Sequence, residues 1–268
     1  CNCGATAIEA SIKLARRYWA QQGTPKPTIV SMRQSFHGRT MAAITATGQP
    51  KYHEGFAPML PGILHVPFND IVALEKALTA EVGAVLLEPI QGEGGIRVAD
   101  TEYLKKVRTL CDAKNVLLIF DEILCGMGRT GTLFAHEHYG VTPDIITLAK
   151  AVANGMPIGA MGCTEKGASG CSVGSHASTF GGNPLSCAAG VAALTVMEEE
   201  DLPGQAEAKG KYLMEKLKKI ESPNIREVRG MGLMIGIEMK QKVAPYIKAL
   251  QEKKIIVLNA GMTVIRLL

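Results

Sequence analysis

Apolar residues fall along this chain in short blocks of two kinds. From Thr6 to Gln22 they recur at Ile8, Ile12, Ala15 and Trp19, with Lys13, Arg16 and Arg17 between them, and Gly23 and Pro25 follow. That spacing of three to four predicts an amphipathic helix with its stop signals. Thr28–Met32 and Ile63–Val66 are short apolar runs of strand length, separated from a third, Ala84–Leu87, by a helical pattern over Ile71–Ala80. The third run ends on Glu88-Pro89. Thr101–Lys114 is predicted as a helix and Val116–Phe120 as a strand that ends on Asp121-Glu122. After a glycine-rich turn, Asp144–Lys150 holds another strand, this one ending on a lysine. Leu185–Glu199 and Gln205–Ile220 are predicted as helices.

Strands that alternate with helices imply an α/β fold with a mostly parallel sheet covered on both faces. Ligands gather at the carboxyl ends of the strands in such sheets. Glu88, Asp121 and Lys150 each stand at such an end, so the three are expected to converge. The tail has another rhythm. Short strands are predicted at Ile225–Arg229, Met234–Met239, Ile255–Leu258 and Val264–Leu268, around one helix at Val243–Lys253. This divides the chain into a large domain over residues 1–200 and part of a small α+β domain over residues 201–268, with the boundary between Glu198 and Pro223.

Composition narrows the classes. The 268 residues are 47% hydrophobic and 20% charged, as in soluble globular proteins. A dispersed net charge of +4 argues against a nucleic-acid or membrane-surface partner. No apolar run is long enough to span a bilayer; the least charged stretch, Ala151–Cys163, is broken by Gly155, Pro157 and Gly159. The seven cysteines are odd in number and scattered, which points to free thiols in a reducing, cytoplasmic setting. Neither the histidines nor Cys1-Asn2-Cys3 show metal-ligand spacing, and the histidines read as polar or capping residues. No signal peptide is visible. A start on Cys rather than Met, and an end on what reads as an unfinished strand, suggest a fragment.

A lysine and an aspartate at the ends of two core strands suit one kind of chemistry. Desolvation lowers a lysine's pKa and makes it a nucleophile toward aldehydes. An aspartate can hold a pyridine nitrogen protonated. Together they match the needs of pyridoxal phosphate. Asn2-Cys-Gly-Ala5 opens a helix whose free N–H groups suit a phosphate, with an ordinary cap as the alternative. In Ser35-Phe-His-Gly-Arg39 an aromatic ring and a guanidinium follow a strand; a core Phe and a solvated Arg are the plain alternative. Two other readings fail on context. Val116–Glu122 has the look of a nucleotide-binding strand but no phosphate loop accompanies it. Gly126-Met-Gly-Arg-Thr-Gly131 matches a dinucleotide fingerprint but neither follows a strand directly nor opens a long helix.

Taken together, Ser35-Phe-His-Gly-Arg-Thr40, Leu87-Glu-Pro-Ile-Gln-Gly-Glu-Gly-Gly95, Leu118-Ile-Phe-Asp-Glu122, Gly126–Gly131, Thr147-Leu-Ala-Lys-Ala151, Pro157-Ile-Gly-Ala160 and Ser178-Thr-Phe-Gly-Gly-Asn-Pro184 resemble the class III aminotransferases of PLP fold type I, nearest the acetylornithine/ornithine branch. The resemblance implies a large domain with a seven-stranded type of sheet between helices. It implies pyridoxal 5'-phosphate as cofactor. Lys150 would be its Schiff-base lysine and proton shuttle, Asp121 the partner of its ring nitrogen, and Phe36 and Ile123 the residues packed on its two faces. Gly4 and Ala5 would hold its phosphate, joined by Thr179 from a neighbouring subunit, which implies a homodimer. Arg39 and Arg266 resemble the arginines that bind substrate carboxylates, and Glu93 the acid that masks Arg266 for one substrate and releases it for the other.

This sequence departs from the family pattern at two places. Leu124 stands where a glutamine usually bonds the cofactor's phenolic oxygen, and Thr6 where an acid usually stands. The expected reaction is a ping-pong transfer of an amino group from N-acetylornithine to 2-oxoglutarate, in arginine or lysine biosynthesis. Ornithine, succinylornithine and 4-aminobutyrate are alternative donors. A non-catalytic paralogue is the alternative of another class, and a dehydrogenase a distant third.

Overall fold

A computed structural model describes all 268 residues. In chain order it contains α1 (Gly4–Gln21), β1 (Thr28–Met32), α2 (Met41–Ala46), β2 (Ile63–Val66), α3 (Ile71–Ala77), β3 (Val82–Leu87), the two-residue strands β4 (Ile90–Gln91) and β5 (Arg97–Val98), α4 (Thr101–Lys114), β6 (Leu117–Asp121), β7 (Ile145–Leu148), β8 (Ala160–Cys163) and α5 (Glu165–Ala168). Then follow α6 (Pro184–Glu199), α7 (Leu202–Lys218), β9 (Ile225–Met231), β10 (Met234–Met239), α8 (Ala244–Glu252), β11 (Leu258–Ala260) and β12 (Val264–Leu267).

The main sheet has the order β2-β1-β3-β6-β7-β8. All its pairings are parallel except that of β8 with β7. Alternation along each strand separates two cores. Val30, Met32, Val85, Leu87, Leu118 and Phe120 face α3 and α4. Ile29, Ala84, Leu86, Leu117, Ile119 and Ile145 face α1 and α2. Both sets are buried, which is why these strands read as unbroken apolar runs. Helix α1 meets the sheet through Ile8, Ile12, Ala15 and Trp19, and the Trp19 indole donates to the Gly83 carbonyl at 2.8 Å.

Six strands form this sheet where the resemblance implied seven. Residue 1 lies against the start of β8: the Cys1 amino group and carbonyl bond the backbone of Gly159 at 2.7 and 2.9 Å. The strand β8 itself was not legible, because Ala-Met-Gly-Cys carries no strand signal; it forms where the chain doubles back along β7.

The second sheet is antiparallel, in the order β11-β12-β10-β9. The strand expected at Ile255–Leu258 lies three residues later. Lys254 turns the chain in the left-handed region, φ +63°, and leaves Ile256 exposed before pairing begins at Leu258 with Arg266. No helix is long and apolar enough to cross a membrane.

Candidate active site

The carboxyl ends of β1, β3, β6 and β7 open on one cavity of about 370 Å³, which the first turn of α1 also lines. Its volume lies in the range of small-molecule sites. Glu88 closes β3, Asp121 closes β6, and Lys150 follows β7 by two residues; all three line the cavity, as their strand positions predicted. Gly4, Ala5, Phe36, Glu93 and Ile123 line it as well.

Asp121 sits at the buried end. One carboxylate oxygen, Oδ1, accepts the Ile123 N–H at 3.0 Å; the other, Oδ2, lies 2.7 Å from His37 Nδ1. The His37 ring is buried, and its Nε2 has no partner. Sequence reasoning treated the histidines as polar or capping residues and missed this contact.

Lys150 differs from the expectation of a buried ammonium: it is exposed at the cavity wall. The strand stops at Leu148, and Lys150 takes a left-handed backbone, φ +42°, as it enters a 3-10 turn over Lys150–Ala153. That turn swings the amine away from the core and into the opening. A lysine at positive φ is strained by about 1 kcal/mol or more, and such strain concentrates at functional sites.

Helix α1 places its free N–H groups at the cavity rim through Gly4 and Ala5. Thr6 does not leave this turn uncapped. Its hydroxyl accepts the N–H groups of Asn2 and Cys3 at 3.1 and 3.0 Å, the role an acid or amide plays at this position of a capping box. Opposite, a Cβ on Gly159 would come within 2.4 Å of the Cys3 carbonyl oxygen, so only glycine lets the two segments touch.

Phe36 and Ile123 line the cavity, and Ile123 packs against Gly4. Leu124 lines it too, seated on the Gly92 turn in an apolar cluster with Ile90, Ile96 and Met234. It presents no hydrogen-bonding atom. Glu122, beside Asp121, belongs to the scaffold: it is buried, and it accepts the N–H groups of Ala135 and His136 and contacts the His136 ring at 2.8 Å.

Three predicted residues lie outside the cavity lining. Arg39 is exposed, with its guanidinium over the Tyr52 ring at 4.6 Å and the Phe36 ring at 5.7 Å. Arg266, on β12, is nearly buried and bonds Glu93 at 2.5 Å, so it reaches the site through that acid. Thr179 is exposed and borders no part of the cavity in this chain.

Glu88 carries the strongest electrostatic perturbation here. Burial, joined by the charge of Asp121, pushes its carboxyl up to about 7, against the pull of His37 and two backbone N–H bonds.

The sequence profile described as Aminotransferase class-III matches residues 1–268. The chain belongs to the class III aminotransferases. It is 52% identical over its whole length to the acetylornithine aminotransferase of Methanocaldococcus jannaschii, and 49% identical to that of Bacillus cereus. It covers 68% and 69% of those two proteins, so it spans about two thirds of their length. Among solved structures it resembles the ornithine aminotransferase of Toxoplasma gondii, with a TM-score of 0.96, 36% identity and coverage of all of this chain and 66% of that one. It also resembles the N-acetylornithine aminotransferase of Stenotrophomonas maltophilia, with a TM-score of 0.83, 38% identity and coverage of all of this chain and 67% of that one.

Class III aminotransferases use pyridoxal phosphate, and the cavity fits it. A buried carboxylate at one end suits the ring nitrogen, an amine at the wall suits the aldehyde, and free helix N–H groups at the rim suit the phosphate. Apolar walls at Phe36 and Ile123 suit a flat ring between them.

Proposed function

We propose that this protein moves an amino group from N-acetylornithine to 2-oxoglutarate in a ping-pong reaction with pyridoxal phosphate. The observation that carries the reading is the convergence of the His37–Asp121 pair, Lys150 and the N-terminus of α1 on one cavity. The naming of relatives at about half identity supports the donor.

In this reading Lys150 would hold the cofactor's aldehyde carbon and would take and return the proton at the reacting carbon of the substrate. Asp121, oriented by His37, would accept the hydrogen bond of the ring nitrogen. When bound, the cofactor supplies an electron sink for the charge left by proton removal. Gly4 and Ala5 hold the phosphate through backbone N–H groups, and Phe36 and Ile123 exclude water from the ring faces. Arg39 and Arg266 bind substrate carboxylates. The Glu93–Arg266 pair stays closed for the amine donor and opens for the dicarboxylate. Thr179, exposed and away from its own cavity, serves the phosphate of a second subunit in a cytoplasmic homodimer. Residues 1–200 and 201–268 form the two domains.

The test is a visible spectrum of the purified chain with pyridoxal phosphate, beside Lys150→Ala. A lysine-dependent band bleached by N-acetylornithine and restored by 2-oxoglutarate is expected. Leu124, with no polar atom to offer the cofactor, favours a second reading, a non-catalytic paralogue. A lysine-dependent band that no amine bleaches would decide for it.

A further inference from the structure

One buried carboxyl group at the site has no part in the chemistry above. Glu88 is 5% exposed and stands at the end of β3, between two segments that line the cavity from different sides. Its Oε2 accepts the Phe36 N–H at 3.1 Å, and its Oε1 accepts the Gly92 N–H at 3.2 Å. Phe36 belongs to the segment after β1 that also carries His37. Gly92 begins the turn that carries Glu93, which holds Arg266.

We propose that Glu88 is a positioning residue that ties the cofactor-facing segment to the substrate-facing turn. The inference rests on the functional reading above and extends it to how the two halves of the site are coupled. Each carboxylate oxygen holds one backbone N–H, and those N–H groups precede, by one residue, the side chains that matter: His37 on one side and Glu93 on the other. A shift of Glu93 when it releases Arg266 therefore loads the Gly92 bond, and through the same carboxyl group the Phe36 bond. His37 passes that load to Asp121 across its 2.7 Å contact. Two buried amides share one acceptor group, so loss of the group strands both.

Glu88→Gln tests this with little change of volume. Its amide oxygen can serve one of the two N–H groups, while its NH2 cannot accept from the other. Three readouts follow. Amide hydrogen exchange on the cofactor-free chain at pH 8, where the Glu88 carboxyl is ionised, is expected to quicken roughly tenfold at one or both of Phe36 and Gly92. Cofactor affinity, titrated by absorbance, is expected to weaken by roughly tenfold. The ratio of kcat/KM for N-acetylornithine to that for 2-oxoglutarate is expected to move in the same variant. Comparison variants separate the effects: Phe36→Leu is expected to move cofactor affinity more than the substrate ratio, and Glu93→Ala the substrate ratio more than cofactor affinity. In the double variant Glu88→Gln/Glu93→Ala, the ratio is expected to depart from the product of the single effects.

Unchanged exchange at both amides overturns the inference whether or not the chain binds cofactor. Unchanged cofactor affinity and substrate ratio in a variant that does bind overturn it equally. Failure of the parent chain to give the Lys150-dependent band would instead count against the functional reading, and leaves the exchange experiment to decide on Glu88. Glu88→Asp, one methylene short, is expected to regain the two acceptors only in part.

Discussion

His37 Nδ1 lies 2.7 Å from Asp121 Oδ2, and both side chains are buried, Asp121 at the end of β6 and His37 in the segment that follows β1. The contact fixes the carboxylate in one rotamer, with the Ile123 N–H on its other oxygen. His37→Ala is expected to leave Asp121 less constrained and to lower both half-reaction rates by about ten- to a hundredfold, the loss typical of a buried bond to a charged group. Single-turnover kinetics check this. Rates equal to the parent's would show that the Ile123 N–H alone suffices.

The Glu93–Arg266 pair predicts a change in selectivity rather than in rate. Glu93→Ala exposes a guanidinium that is otherwise nearly buried. A dicarboxylate gains from that charge and an acylated diamine does not. The KM for 2-oxoglutarate is expected to fall and that for N-acetylornithine to rise, each by several-fold. Steady-state kinetics on both substrates decide it; an unchanged ratio removes the switch.

Leu124 predicts a gain. Leu124→Gln places an amide at the cavity wall, where an apolar end now packs on Gly92. The lysine-dependent absorption band is expected to shift and turnover to rise, at a stability cost of about 1–2 kcal/mol from lost packing. A spectrum identical to the parent's would mean that the amide points elsewhere.

Glu88 predicts a pH dependence of stability. Burial raises its carboxyl from 4.5 to about 7, so the folded chain keeps a proton there that the unfolded chain releases. Its contribution is fully present below about pH 4.5 and declines as pH rises to 7, by roughly 3 kcal/mol in total. In the cofactor-free protein, Glu88→Gln is expected to flatten the fall of Tm between pH 5 and 8. Parallel curves for parent and variant would contradict it.

Gly210 predicts the cost of a close contact. A Cβ there would meet the Gly232 carbonyl oxygen at 2.1 Å, where α7 crosses the turn between β9 and β10. Backbone cannot yield as a flexible side chain can. Gly210→Ala is therefore expected to destabilise the fold by about 1–3 kcal/mol, although alanine favours helices. Denaturant unfolding checks it; a stabilised variant would show that α7 is free to move away.

The sheet was legible because its strands are buried on both faces. Thr28–Met32 and Ile63–Val66 came out with the limits expected, and Leu117–Asp121 within a residue. Position at a strand end then brought Glu88, Asp121 and Lys150 together before any geometry was known. What escaped was whatever depends on pairing rather than pattern. Strand β8 has no apolar run, and Ile255-Ile256 has one but no neighbour to pair with. The His37–Asp121 contact spans 84 positions in the chain, and no local periodicity records it. The exposure of Lys150 escaped for a different reason: a change of backbone hand after Leu148 redirects one side chain and leaves no mark on composition.

That change of hand sets the amine at the cavity wall against the stability of the fold. Most side chains at φ +42° give up energy that glycine keeps, and the amine does nothing for a fold without cofactor. Lys150→Gly should thus melt higher than Lys150→Ala, and higher than the parent, while losing all chemistry.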